Sequence, residues 1–224
     1  MGKIKNGIIG GVSGRIGNVI GSRSNGSDYI KIIPANYHDA KTEKQLSQRN
    51  IFTAVHHLAH ILVSPYLKNI WQRATNQLSA HNAFCQSNID AFNSKGEIED
   101  YSKLLLTKGT LSLPIDYSIK YDSNRKNHIL FSWDDNCILT NSKDKHIKDD
   151  FVNIIVVKRT KEFRIHKIYD EYAKRSEEHC SMDLSAYKNG TILDIYFYFS
   201  DRDNTSFSNS IHKEVIIDNT LMNN

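Results

Sequence analysis

Hydrophobic and polar positions follow three different rhythms along this chain, and each rhythm predicts its own kind of element. In the first 33 residues Ile8, Val12, Ile16 and Ile20 are interleaved with Gly7, Gly10, Gly11, Gly14, Gly17 and Gly21. Glycines at this density permit the positive φ of tight turns and bulges, so the stretch predicts a compact β-meander. Its expected strands are Lys5–Val12, Arg15–Ser22 and Asp28–Ile33, with a turn at Asn25-Gly26 and a stop at Pro34, which has no N–H to donate. A 3.6-residue rhythm follows. Thr42-Glu43-Lys44-Gln45 is a capping box, and Ile51, Phe52, Val55, Leu58, Ala59 and Leu62 then fall on one helical face. Ser64-Pro65 predicts the start of a second helix packed through Leu67, Ile70, Trp71 and Ala74, and Ser79 opens a third to about Phe92.

The rhythm then changes to period two. Short strands are expected at Lys103–Thr107 and Thr110–Leu113, around a turn at Lys108-Gly109. From about Asn124, Ile129, Phe131 and Trp133 alternate on one strand and Val152, Ile154 and Val156 on a second, which also carries Ile155 and Val157. Leu193, Ile195, Phe197 and Phe199 alternate with Asp194, Tyr196 and Tyr198, and Ile211, Val215 and Ile217 close the series. Alternating strands with an early buried Trp read as an immunoglobulin-like or fibronectin type III-like sandwich. The expected class is α+β: residues 1–120 form a Gly-rich meander with about three helices, and residues 121–224 an antiparallel β-sandwich. The Leu58/Leu62 side of the first helix is expected to cover one face of the meander.

Charge adds one asymmetry. Lys3, Lys5, Arg15, Arg23 and Lys31 face only Asp28 in the first 33 residues, a local net of +4, while the other 24 basic and 24 acidic side chains balance. The meander thus holds all the net charge. Cations there protect edge strands against stray pairing, or mark a surface for a polyanion; the first reading is preferred. Cys85, Cys137 and Cys180 form no CxxC and are odd in number, which argues against a disulfide framework. With no signal peptide or membrane span legible, the default compartment is the cytoplasm.

The glycine run fails each test for known chemistry. A phosphate loop needs Lys then Ser or Thr after its last glycine, and the dinucleotide fingerprint needs two glycines with one residue between them; the run has neither. Ser13 lacks the nucleophile-elbow spacing. His56, His57 and His60 resemble a metal site, but His57 stands where a zincin carries its Glu, so rim-packed or solvated histidines are the better reading. Asp201-x-Asp203-Asn204 lacks the Gly and Glu of a calcium loop. Asp134-Asp135 and Asp149-Asp150 read as solvated strand ends. No catalytic residue, cofactor or metal is expected. The candidate partner-binding residues are Lys3, Lys5, Arg15 and Arg23 on the meander, and Tyr196 and Tyr198 on an outward sheet face.

Several motifs occur in one succession: MGKIKNGIIGGVSGRIGNVIG at the start, TEKQLSQRN from Thr42, HNAFCQSN from His81, DYSKLLLTKGTL from Asp100, ILFSWDDN from Ile129 and SFSNSIHKEVI from Ser206. In this the chain resembles an uncharacterised family of Bacteroidota proteins of similar length, a domain of unknown function. The resemblance implies architecture and no activity or site residues. The chain departs from the family pattern at His56, His57 and His60 and in its charged Glu162–Glu178 segment. The expected function is a non-enzymatic binding or assembly module whose partner is a protein, a second copy of the chain included. The alternative is a nucleic-acid-binding protein that uses the basic meander.

Overall fold

In a computed structural model, residues 2–4, 13–24, 26–34, 39–75, 78–122, 124–135, 149–160 and 163–217 are described. The chain divides into two units, Met1–Thr42 and Glu43–Asn224. The first is an antiparallel sheet of β1 (Gly2–Ile4), β2 (Gly14–Ile16), β3 (Val19–Ser24) and β4 (Ser27–Ile32), in the order β1-β4-β3-β2. The single strand expected over Arg15–Ser22 is split. Gly17-Asn18 forms a two-residue turn that pairs Ile16 with Val19, and Gly17 sits at φ +58°, a conformation glycine adopts without strain. Ser24 pairs with Ser27 across the expected second turn, and β4 ends before Pro34. The strand expected over Lys5–Val12 lies outside the described residues.

The second unit has three layers. Its helical layer holds α1 (Glu43–Leu62), α2 (Lys68–Arg73) and α3 (Ala80–Asn88). Helix α1 begins directly after Thr42, and the Ser79 hydroxyl caps α3 by accepting from the Asn82 N–H at 3.2 Å. Ser64-Pro65 does not start a helix. Residues Val63–Leu67 form one wide π-helical turn that joins α1 to α2. Pro65 has no N–H for the carbonyl four residues back, and a wider turn absorbs the missing bond without ending the helix.

The middle layer is the antiparallel sheet β11-β10-β7-β8, formed by β7 (Phe151–Lys158), β8 (Arg164–Lys174), β10 (Ile192–Ser200) and β11 (Ile211–Ile216). The third layer is the sheet β5-β6-β9, formed by β5 (Asp116–Tyr121), β6 (His128–Asp134) and β9 (His179–Asp183). Because both its faces are covered, the middle sheet has central strands that read as continuous apolar runs. Val152, Ile154, Val156, Leu193, Ile195, Phe197 and Phe199 pack with Ile129, Phe131 and Trp133 of β6. Phe131 stacks on Phe197 with ring centroids 4.4 Å apart. On the other face Ile155, Val157, Tyr196 and Tyr198 pack with Val55, Leu58, Leu62, Trp71 and Phe84 of the helical layer. Helices and strands therefore share a core, and the chain does not part near residue 120; it parts between Thr42 and Glu43. Leu58 and Leu62 are buried within their own unit.

The hairpin expected around Lys108-Gly109 is an irregular crossing. Leu104 and Leu106 are buried, and the neighbouring polar groups bond to the Phe207–Ser210 segment: the Leu106 N–H to Ser210 Oγ, and Thr107 Oγ1 to the Ser208 carbonyl. A Cβ at Gly109 would stand 1.9 Å from the Phe207 carbonyl oxygen, so only glycine fits this approach. The charged Glu162–Glu178 segment is largely β8, an outer strand, where exposed charge discourages stray pairing. Its pairing with β7 is bulged, and buried Asn153 serves the bulge by accepting from the Glu171 N–H at 2.8 Å while donating to Ser200 Oγ at 2.9 Å. Among the described residues no helix is long and apolar enough to cross a membrane.

Candidate functional site

Cross-strand register sorts the meander side chains. Ile16 pairs with Val19 and Val19 with Ile32, so the three form a row across β2, β3 and β4. Ile16 is 62% exposed and Ile32 76%. Arg15 and Lys31 flank Ile20 in the next row, on the opposite face, and both are exposed. Arg15 Nε also donates to the Gly17 carbonyl at 3.0 Å. Arg23 shares the isoleucine face and stands 3.7 Å from Asp28. Lys3 lies on β1, where it pairs with Tyr29; Lys5 lies outside the described residues.

Tyr196 and Tyr198, expected on an outward face, are buried. The helical layer covers them, and the Tyr196 hydroxyl donates to the Tyr101 carbonyl at 2.9 Å. They are core residues, unavailable to a partner. Periodicity marks the alternation of β10 but cannot say that a second layer lies over its polar-looking face.

Beside them Asp194 is fully buried and holds a network. Arg159 forks onto both its oxygens, Nε at 3.0 Å and Nη2 at 2.7 Å, and His212 Nε2 lies 2.8 Å from Oδ1. Arg159 Nη2 also reaches Glu214 at 2.6 Å, and its guanidinium lies 4.2 Å over the Tyr101 ring. Burial alone would raise the Asp194 carboxyl, but the hydrogen bonds from His212 and Arg159, with their charges, hold it below the usual carboxylate range. Both Asp194 oxygens are committed, and through His212 this carboxyl ties β10 to β11.

A second network lies at the other end of the middle sheet. Arg175, 1% exposed, grips Asp135 through Nε and Nη2, each at 2.7 Å, and Nη1 stands 3.4 Å from Asp150. Asp134-Asp135 and Asp149-Asp150 are therefore not simply solvated ends: Asp135 and Asp150 are buried. Burial pushes the Asp150 carboxyl up to about 6, against the opposing pull of Arg175. The folded state thus holds this proton more tightly than the unfolded chain does. Its contribution to stability is fully present below about pH 4 and is lost as pH rises through about 6. Asp150→Asn is expected to flatten that limb, changing the difference from wild type by about 2–3 kcal/mol at most between pH 4 and 7. Urea midpoints measured across that range check this, and parallel profiles would contradict it.

The helical layer carries a third group. His56 on α1 and His81 and Cys85 on α3 place one ligand-type atom each within 4.8 Å of one another. The His56 and His81 rings meet edge-on with centroids 4.9 Å apart. Both His81 ring nitrogens are buried and, among the described residues, have no hydrogen-bond partner. Burial, with the nearby charges of His56 and His60, lowers the His81 pKa; burial pushes the Cys85 thiol up to about 11. A cavity of about 360 Å³ opens beside His60 and His81, and Lys68 and Gln72 also line it. Of the three histidines noted in the sequence, His57 and His60 are exposed and His56 alone joins the group.

The model of a family of unknown function (DUF6266) matches residues 11–213. The chain belongs to this family. No curated protein matches it.

Proposed function

We propose that this family member is a non-enzymatic assembly module. Its N-terminal sheet joins a second copy of the chain, and its β5–β11 region is a fibronectin type III-like sandwich. The fold reading is supported by strand order. Of the seven strands among the described residues of this region, the first, second and fifth form one sheet, and the third, fourth, sixth and seventh form the other. In an immunoglobulin constant domain the fourth strand joins the first sheet, whereas here β8 pairs with β7. The inward Trp133 of β6 suits the same architecture.

The assembly reading is carried by the row Ile16–Val19–Ile32, with Ile16 and Ile32 exposed, which runs to β2, the outermost strand on that side among the described residues. An outer strand offers N–H and C=O groups to an incoming strand, and antiparallel pairing of β2 with its own copy is self-complementary. The apolar row then supplies side-chain contact across the new seam. A non-enzymatic reading accords with the buried thiol of Cys180, which burial pushes up to about 12, far from a reactive thiolate.

Sedimentation of the full-length protein tests this. Wild type is expected to gain mass above the 25.7 kDa chain as concentration rises, and an Ile16→Lys/Ile32→Lys variant to stay at chain mass. A wild type that keeps chain mass at every concentration would refute self-assembly. The second reading, nucleic-acid binding, draws on the aligned Arg15 and Lys31 of the opposite face. It requires retention on a DNA or RNA column that falls steeply with salt and is lost in Arg15→Ser/Lys31→Ser.

A further inference from the structure

We infer that His56, His81 and Cys85 form a binding site for one divalent zinc-class cation between α1 and α3, with a fourth position open to water. Three observations converge on it. The donor set is two imidazoles and a thiolate, nitrogen and sulfur ligands of the kind zinc takes in tetrahedral sites. Softness sets the class: calcium and magnesium prefer oxygen ligands, and nothing in this trio supplies one.

Geometry comes next. The three donor atoms lie within 4.8 Å of one another, on helices that already pack together in the core. Zinc–nitrogen and zinc–sulfur bonds of about 2.0–2.3 Å separate tetrahedral ligands by roughly 3.3–3.7 Å. Closing the trio therefore needs a contraction of about 1 Å, within reach of side-chain rotation about χ1 and χ2. The helix register supports it, because His81 and Cys85 are four residues apart on α3 and thus share a face.

The third observation points to a missing partner. A neutral imidazole carries one donor and one acceptor nitrogen, and buried polar atoms in native proteins nearly always find partners. Both nitrogens of His81 are buried and unpartnered among the described residues, and its ring meets that of His56 in an edge-type contact. The Cys85 thiol donates at long range to the Val55 carbonyl, at 3.8 Å. A cation here would satisfy a His81 nitrogen and replace the thiol proton, tying α1 to α3. The adjoining cavity, lined by His60, Lys68 and Gln72, gives the open position access to water or a small anion.

The test uses tag-free, full-length protein stripped with a chelator and titrated with cobalt(II), then zinc. Wild type is expected to take one cobalt per chain, with a thiolate-to-cobalt charge-transfer band and intense tetrahedral d–d absorption. Zinc should displace that signal and raise the thermal midpoint. Cys85→Ser should abolish the charge-transfer band. His81→Gln should weaken zinc binding by more than about 100-fold, beyond the cost of losing an outer-shell partner. His57→Gln, on the exposed side of α1, should bind like wild type. No charge-transfer band in wild type, or a band that survives Cys85→Ser, would overturn the site. Should Cys85→Ser fail to fold, the wild-type spectrum and the His81→Gln affinity decide: unchanged affinity in that variant overturns it equally.

Discussion

Trp133→Ala is expected to lower the unfolding free energy by about 3–5 kcal/mol, the range for emptying a core aromatic site. Trp133 is 4% exposed on β6, between Phe131 at 5.0 Å and Phe199 at 5.7 Å, ring centroid to centroid. Two losses combine. The cavity forfeits dispersion contacts that neighbouring rings on two strands cannot collapse to recover. The Arg175 carbonyl, which accepts from Trp133 Nε1 at 2.9 Å, also loses its indole donor beside a buried ion network. Tyr117→Ala, on the outer strand β5 with 48% exposure, is the comparison and should cost far less. Urea unfolding at constant slope checks both. Equal losses at the two positions would show that Trp133 is not where the two sheets are held together.

Arg175→Met is expected to cost about 3–5 kcal/mol at neutral pH, the penalty for leaving buried charge uncompensated. Arg175 is the only cation in contact with the two buried carboxylates of this network among the described residues, and its guanidinium also lies 4.4 Å over the Phe199 ring. Without it Asp135 and Asp150 repel each other in a region of low dielectric. The deficit should shrink as pH falls toward 4, because protonation relieves the repulsion. A deficit that stays constant from pH 7 to pH 4 would assign the loss to packing of the long side chain instead. Replacing all three residues with apolar ones of similar volume should recover much of the stability, since a satisfied buried ion group contributes little net energy.

The local elements were largely legible, and the reason is visible in particular residues. Phe131 and Trp133 alternate with Leu130 and Ser132 because β6 faces a core on one side, and Ser79 announces α3 because an N-cap must accept a backbone N–H. Strands β5, β8 and β9 went unread. An outer strand such as β8 carries charge on its exposed positions, so its alternation is masked, and β9 offers only Cys180 and Met182 as inward positions. Pro65 read as a helix start because sequence cannot show whether a missing bond ends a helix or widens it. The metal trio was half visible: His56 stood in the histidine run, but its partners sit on another helix, and spacing along one helix says nothing about a neighbour's face.

The β2–β4 meander, the helical stretch, the apolar central strands and the location of net charge could all be read from the chain alone. Each of these follows from backbone period, turn chemistry or composition, which act over a few residues. Folding in three dimensions was needed to place Tyr196 and Tyr198 under helices, to bring Asp135 and Asp150 onto Arg175, and to set His81 and Cys85 against His56. These are pairings between segments far apart in the chain. They are set by which apolar faces bury one another, and a side chain's neighbours exist only once those faces have closed.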